Sequence, residues 1–480
     1  MAEQTPRAGK GNGCPLFKQC GGCQLQNLTY PEQLQYKQVK CIRLLSRFGH
    51  VDEIVGMARP LHYRNKVQAA FGMHRGTNIS GVYQSKSHRI VNVDDCRLED
   101  ETADAIIVTI RALLPRFKLA PYNEDTGRGF LRHVLVRRGF STGEVMVVLV
   151  TPDSLFPKKD AFLHELLRRH PEITTVIQSV NGAKTSLVLG KRELILFGKG
   201  YIEDVLCGCR FRLSPRSFYQ INPVQTEVLY GKALEFAALT GSETVLDAYC
   251  GIGTIGLCAA KHAKQVIGVE LNADAVRDAK QNAKLNGAAN ARFFCADAGA
   301  FMTEAAKAGD KIDVVFMDPP RAGSDLPFLK SVAALAPQRI VYISCNPETL
   351  ARDLGFLCKN GYQVKRMQPV DMFPHTGHIE CVVLLSQRRA TEHIDIKLDL
   401  TDLDLTAAEA KPTYDDIKAY VLKTYGLKVS SLYISQVKRK FGLEVGEAFN
   451  KPKTDKNKTP QCPEEKERAI VAALEFYKVI

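Results

Sequence analysis

The sequence predicts an α/β protein: a Rossmann-like, doubly wound sheet over residues 211–390, a β-rich domain ahead of it and a small helical extension behind it. Three observations carry this. Six apolar, mostly β-branched runs, from "ETVLDAYC" through "QVIGVEL", "ARFFCAD", "KIDVVFMD" and "RIVYISC" to "ECVVLLS", alternate with helical stretches, as parallel β–α units do. Between 59 and 210, shorter runs such as "YRNKVQAAFG", "LRHVLVRRGF" and "EVMVVLVT" are bounded by Gly, Asn and Ser. They fit an antiparallel β-rich domain with one helix, "DAFLHELLRRHP", inserted. Near 390 the composition turns acidic and repetitive, which predicts a linker over 391–411 before a basic helical domain at 412–480.

The remaining segment, 1–58, joins a cysteine-rich loop to a helix expected from Pro31 to about Phe48. "CPLFKQCGGC" spaces Cys14, Cys20 and Cys23 as C-x5-C-x2-C. Three clustered thiolates with one distant partner suit a [4Fe–4S] cluster, and zinc competes on spacing alone. Cys96, at a strand end in "VNVDDCRLED", is the expected fourth ligand, and Cys41, inside the helix, is expected in the core. Cys250, Cys258, Cys295, Cys358 and Cys381 read as small core fillers.

Composition narrows the class. The 480 residues are enough for several buried cores, and 45% hydrophobic with 24% charged content is ordinary for a globular protein. No apolar run is long enough to span a bilayer, and "MAEQTPRAGKGNG" lacks the apolar stretch of an export signal. A cytoplasmic monomer is expected, with its fourteen cysteines reduced, metal-bound or catalytic. The net charge of +13 points to an anionic partner, nucleic acid foremost.

"VLDAYCGIGTIGL" puts Asp247 at a strand end and Gly251, Gly253 and Gly256 in the turn that opens a helix. Glycines there allow a ligand close to the backbone at a helix N-terminus. The letters match G-x-G-x-x-G, with Glu270 of "GVELN" at the distance of a ribose contact, so a dinucleotide is a rival. However, the apolar run stops at an acid. A carboxylate there repels a pyrophosphate and attracts the ammonium and sulfonium of S-adenosylmethionine. Asp297 of "CADA" is a third strand-end acid, suited to an adenine amine.

"DVVFMDPPRAG" places Asp318 at the next strand end, with Arg321 where enzymes that methylate amino groups carry an aromatic. "VYISCNPETL" then ends an apolar run on Cys345. Reaction sites gather at the carboxyl ends of such strands, so Cys345 is placed as a nucleophile with an expected depressed pKa. A thiolate adding to C6 of uracil turns C5 into a carbon nucleophile toward a sulfonium methyl. The C5 proton must then leave, which requires a base. Glu380 in "PHTGHIECVVLL" is the candidate, expected to be ionised at neutral pH, with His375 and His378 nearby.

Taken together, "SFYQIN", "DAYCGIGT", "GVELN", "DPPRAG", "SCNP" and "HIECVVLL" resemble the RNA (uracil-5)-methyltransferase family over about residues 15–388. The resemblance implies that Gln220, Tyr249, Gly251, Thr254, Glu270, Asp297 and Asp318 bind S-adenosylmethionine or position the base. It implies Cys345 as nucleophile and Glu380 as base. Tyr249 stands where Phe is common, and Thr254 where Asn is. The family's iron–sulfur members carry the same cysteine arrangement, which favours the cluster at Cys14, Cys20, Cys23 and Cys96. It also favours 23S rRNA as substrate, with tRNA the alternative. A non-catalytic iron–sulfur RNA-binding protein is the reading from another class, and the joint presence of Cys345, Glu380 and Asp318 weighs against it. A cytosine-C5 enzyme would need an acid near N3 of the ring.

Arg64, Lys66, Arg132 and His133 alternate with apolar residues on expected strands and are candidate RNA contacts. Only thirteen residues precede Cys14, so the separate N-terminal RNA-binding barrel of many relatives is expected to be missing. In the tail, "KVSSLYISQVKRKFGL" resembles the second helix of a helix-turn-helix unit. Lys438, Arg439 and Lys440 would then face phosphate, and a solvated appendage or protein-docking module is the competing reading.

Overall fold

A computed structural model describes residues 13–84, 87–183, 185, 187–388, 414–441 and 461–476. The acidic stretch 391–411 lies outside the described residues. The chain forms two compact units, Met1–Arg389 and Ala390–Ile480.

The first unit opens with a short turn of helix, α1 (Phe17–Cys20), and a long one, α2 (Tyr30–Leu45). α2 starts on a capping box in which Thr29 and Glu32 satisfy each other's backbone groups, with Pro31 in the first turn, worth about 1 kcal/mol. A seven-stranded sheet follows, in the order β3-β2-β1-β4-β5-β6-β7. Its strands are β1 (Lys66–His74), β2 (Thr77–Tyr83), β3 (Ile90–Asn92), β4 (His133–Arg138), β5 (Val145–Thr151), β6 (Ile173–Val180) and β7 (Arg192–Phe197). Helix α3 (Glu101–Arg116) and helix α4 (Lys159–Arg169) cover one face, where Ile106, Ile110 and Phe162 meet Val134, Val136 and Val147. Every neighbouring pair is antiparallel except β5 and β6. The inserted helix α4 is long enough to return the chain to the same edge, so these two strands run parallel.

A hairpin, β8 (Ile202–Leu206) and β9 (Cys209–Leu213), leads to α5 (Pro223–Ala237) and the second seven-stranded sheet. Its order is β12-β11-β10-β13-β14-β16-β15. The strands are β10 (Thr244–Asp247), β11 (Gln265–Glu270), β12 (Ala291–Cys295), β13 (Val314–Met317), β14 (Arg339–Ser344), β15 (Tyr362–Val370) and β16 (Glu380–Gln387). The connecting helices are α6 (Thr254–Ala260), α7 (Ala273–Leu285), α8 (Ala298–Ala308), α9 (Leu326–Leu335) and α10 (Pro347–Lys359). β16 is inserted antiparallel between β14 and β15. Its first residue, Glu380, therefore lies at the end of the sheet where the parallel strands finish.

Period-two alternation buries both faces of this sheet. Val245, Val314, Phe316 and Val341 join one core with α5, α6 and α7. Leu246, Val315, Met317 and Tyr342 join another with α8, α9, α10 and residues Cys41 and Leu45 of α2. The first of these cores also takes in Leu135, Met146, Val148 and Ile177 of the other sheet. One apolar cluster thus takes side chains from both sheets.

In the second unit, α11 (Tyr414–Tyr425), α12 (Ser431–Lys440) and α13 (Glu464–Phe476) enclose Ile417, Val421, Ile434, Val437 and Ile470. Ser430 caps α12 by accepting from the Tyr433 N–H. The three basic residues at its end do not form one phosphate-facing row. Lys438 is buried with its Nζ 4.9 Å from the Tyr414 ring centre, and Lys440 lies 2.6 Å from Glu467. Arg439 is exposed.

Candidate functional site

The acids expected at strand ends stand there. Asp247 ends β10, and its Oδ2 accepts from the Gly256 N–H at 2.9 Å. Its Oδ1 is buried without a hydrogen-bond partner. Burial, with Asp318 and Glu270 nearby, pushes the Asp247 carboxyl up to about 7. Gly251 and Gly253 take positive φ values of 53° and 85°, and a Cβ on Gly253 would lie 2.9 Å from the Phe293 ring. Only glycine is at ease there. The Gly251 N–H donates to Glu270 Oε2 at 3.2 Å, tying the turn to the end of β11.

Beside this turn is a pocket of about 510 Å³ lined by Tyr249, Glu270, Leu271, Asp297, Pro320, Asp325 and Phe328, among others. Asp297 caps α8 by accepting from the Ala300 N–H. The Tyr249 ring lies 4.9 Å from that of Phe328, centre to centre. Sequence reasoning missed Phe328 and Asp325. Their only signal was "SDLPFLK" directly after the Pro-Pro-Arg stretch, at a helix start. Of the expected cofactor residues, Gln220, Gly251, Thr254 and Asp318 do not line this pocket. Thr254 Oγ1 lies 3.1 Å from Tyr230 Oη, and Gln220 is buried with its carbonyl accepting from Asn65.

Cys345 follows β14 in a loop fixed from both sides. Asn346 caps α10 through the Glu348 N–H, and its Nδ2 donates to the Arg321 carbonyl. Asp353, fully buried on α10, accepts from the Ser324 N–H and Tyr342 Oη and so holds the stretch after Asp318. Three ends therefore converge: Asp318 after β13, Cys345 after β14 and Glu380 opening β16.

Their electrostatics differ from expectation. Burial pushes the Cys345 thiol up to about 11, and Glu380 and Asp318 act in the same direction against Arg321. The expected depressed pKa is thus corrected: two neighbouring carboxyls disfavour a thiolate. Glu380 is likewise raised well above the carboxylate range by burial and by Asp318, against Arg321, so its ionised form is disfavoured where a free carboxylate was expected. Burial raises Asp318 to about 7.

On the first sheet, two expected RNA contacts are used internally. Arg132 is buried, donates to the carbonyls of Asn181 and Ala183, and stacks over Tyr122. His133 is buried, and desolvation with Arg132 beside it lowers it to about 4. Lys66 is lowered to about 8 by burial and Arg137. Arg64 has a buried Nε without a partner.

Cys14, Cys20, Cys23 and Cys96 are all half-buried free thiols. Cys20, Cys23 and Cys96 share Glu99 as a charged neighbour, and Cys23 and Cys96 pack against the same cluster of Met57, Tyr63 and Leu98. Among the described residues, no three His, Cys, Asp or Glu side chains are grouped to hold a metal ion. Of the expected core fillers, Cys250, Cys258 and Cys381 are buried with Cys41, Cys358 is half-buried, and Cys295 is exposed on the edge strand β12. Among the described residues no helix is long and apolar enough to cross a membrane.

A doubly wound sheet with an antiparallel seventh strand, a glycine turn after β10 and acids at successive strand ends defines the fold of S-adenosylmethionine-dependent methyltransferases. A family model described as tRNA (Uracil-5-)-methyltransferase matches residues 29–388. An uncharacterized RNA methyltransferase of Halalkalibacterium halodurans is 46% identical over 377 residues, covering 78% of this chain and 82% of the relative. Another from Listeria monocytogenes is 44% identical over 376 residues, covering 78% and 83%. The crystal structure of Pyrococcus abyssi tRNA (uracil-54, C5)-methyltransferase in complex with S-adenosyl-L-homocysteine is similar with a TM-score of 0.64 and 30% identity, over 76% of this chain and 85% of that one. The chain belongs to the tRNA (uracil-5-)-methyltransferase family and is an RNA methyltransferase.

Proposed function

We propose that this enzyme methylates C5 of uridine in 23S rRNA through a transient bond between Cys345 Sγ and C6 of the ring. The observation that supports it most is the convergence of Cys345, Glu380 and Asp318, close enough for both carboxyls to shift the thiol. S-adenosylmethionine supplies a methyl group on a cationic sulfonium. Asp247, with its unpartnered Oδ1, would face the ammonium and sulfonium, Glu270 the ribose, and Asp297 the adenine amine, with Tyr249 and Asp318 beside them.

Cys345 adds to C6 as a thiolate, and the displaced electron pair is shared between C5 and the C4 carbonyl. C5 takes the methyl group as the methyl–sulfur bond breaks, its electron pair staying on sulfur to leave a neutral thioether. Glu380 then removes the C5 proton, the pair reforms the C5–C6 double bond, and Cys345 leaves as a thiolate. Burial favours the neutral forms of Cys345 and Glu380 without a ligand, and a cation beside them favours the charged form of each. Glu380 regains its affinity for a proton once that positive charge is spent, which is when it must accept one.

Cys14, Cys20, Cys23 and Cys96 would be the donors of a [4Fe–4S] cluster, which would serve as a structural staple with no part in the methyl transfer. Four iron and four acid-labile sulfide per chain in anaerobically purified protein, lost in Cys96→Ser, is the expected result, whereas zinc without sulfide would replace the cluster.

Transfer RNA is the second reading, because the Pyrococcus abyssi enzyme acts on tRNA. Labelled S-adenosylmethionine with unmodified large-subunit rRNA and tRNA, and the label mapped to its nucleotide, tests both. Label as 5-methyluridine in rRNA alone supports the proposal, label in tRNA overturns the substrate, and no label in either overturns the activity.

A further inference from the structure

The segment leading into Glu380, residues 371–379, crosses between β15 and β16 without regular structure. Its conformation is held from the N-terminal part of the chain. Tyr30, Gln33, Lys37 and Cys41 recur every three or four residues and so share one face of α2. Each meets this segment or the first turn of β16. Tyr30 Oη donates to Asp371 at 2.9 Å, and Lys37 Nζ donates to Asp371 at 2.6 Å and to the Phe373 carbonyl at 3.1 Å. Gln33 Oε1 accepts from the His375 N–H at 2.9 Å, while its Nε2 lies 3.2 Å from His375 Nδ1. Cys41 Sγ lies 3.8 Å from Cys381 Sγ, next to Glu380.

The chain just before α2 completes the grip. The N–H groups of Gln24 and Leu25 both donate to the His375 carbonyl, at 3.1 and 3.0 Å, and Gln24 Oε1 accepts from the Gly377 N–H at 3.2 Å. Tyr63 Oη donates to the Pro374 carbonyl at 3.0 Å. His375 takes a positive φ of 67°, a conformation that a non-glycine residue keeps only when its surroundings impose it. Gln33, Lys37 and Cys41 are buried, and Gln33 and Lys37 are polar side chains that an ordinary packing helix would replace with apolar ones.

We infer that Gln33 and Gln24 are positioning residues that hold the 371–379 segment so that Glu380 stands over the C5 proton of the substrate. The inference rests on Glu380 being the base. Neither glutamine lines the pocket beside the glycine turn or is among the groups that shift the Cys345 thiol. Loosening their hold therefore slows proton removal and leaves thiol addition and donor binding intact, because a base displaced by a fraction of an ångström loses its alignment before anything else changes.

Three full-length variants test this with uridine-containing RNA and S-adenosylmethionine: Glu380→Gln, Gln33→Leu and the exposed Gln24→Ala, which spares the core if Gln33→Leu does not fold. The expected result for Gln33→Leu is a kcat about 10-fold lower, with KM for RNA and donor affinity within about 3-fold. Gln24→Ala loses the hydrogen bond from the Gly377 N–H, and a local one to the Gly21 carbonyl, and should cost about 3-fold. In both, a larger fraction of protein stays attached to RNA after denaturing electrophoresis, as in Glu380→Gln. An unchanged kcat, or a lower kcat without attached protein while Glu380→Gln accumulates it, overturns the positioning role. If Glu380→Gln itself accumulates none, Glu380 is not the base, and the inference falls with that reading.

Discussion

The molecule buries acids in two ways, and the contrast separates scaffold from site. Asp371 is fully buried, yet it has Lys37 Nζ at 2.6 Å and Tyr30 Oη at 2.9 Å, so its charge is answered within the protein. Asp247, Asp318 and Glu380 have no cation at such a distance among the described residues: burial dominates each, and Asp318 adds to the rise at Asp247 and at Glu380, where Arg321 opposes it. A compensated buried acid fixes the fold. A group of uncompensated ones destabilises it, and such a group persists where a positively charged ligand completes it.

The sharpest break in this comparison is Cys345→Ala. Methylation should vanish while donor affinity, measured by calorimetry, stays within about 3-fold, because the acids that would face the donor are untouched. Residual turnover above background would remove the covalent step. Next, Glu380→Gln should stop the cycle after methyl transfer, with RNA-attached protein accumulating on denaturing gels. On the scaffold side, Lys37→Met leaves Asp371 buried and unpaired and should cost about 3–5 kcal/mol in chemical denaturation. Adding Asp371→Asn should recover part of that, and a loss below about 1 kcal/mol would erase the distinction between the two kinds of acid.

The smallest effect has the opposite sign. Asp318 has its carboxyl raised from 3.8 to about 7, so the folded state binds more protons than the unfolded state between those values. Stability therefore falls as pH rises through that window, and the contribution is fully present only below pH 3.8. Asp318→Asn should leave the midpoint of ligand-free protein unchanged in acid and raise it above pH 7 while lowering activity. A variant less stable than wild type above pH 7 would show that Asp318 is compensated after all.

Much of this was legible because strand ends are written locally. The β-branched runs of β10 and β11 stop at the residue that matters and those of β13 and β14 one residue before it, and alternation such as Val245 against Leu246 reports burial on both faces. The charge state of Cys345 was not legible, since it depends on Glu380, brought in by an antiparallel strand from 35 positions further on. Arg132 and His133 looked like surface charges on an alternating strand. The acceptors and cover of Arg132, namely Asn181, Ala183 and Tyr122, come from loops whose path no periodicity reveals. Lys438 misled for the same reason, its partner Tyr414 belonging to another helix. The polar stripe on α2 was visible as letters, but its meaning lies more than 330 residues away.

That separation has a consequence for how the protein is made. Lys37 leaves the ribosome 334 residues before Asp371. At typical elongation rates of 5–20 residues per second, its ammonium waits about 20–70 s for a counter-ion. During that interval α2 has a face of polar groups that suits no apolar surface, which discourages premature packing against the nascent first sheet. The contacts of this face with residues 371–379 therefore form late, and Glu380 takes its place only when β16, the final strand of the sheet, has been synthesised.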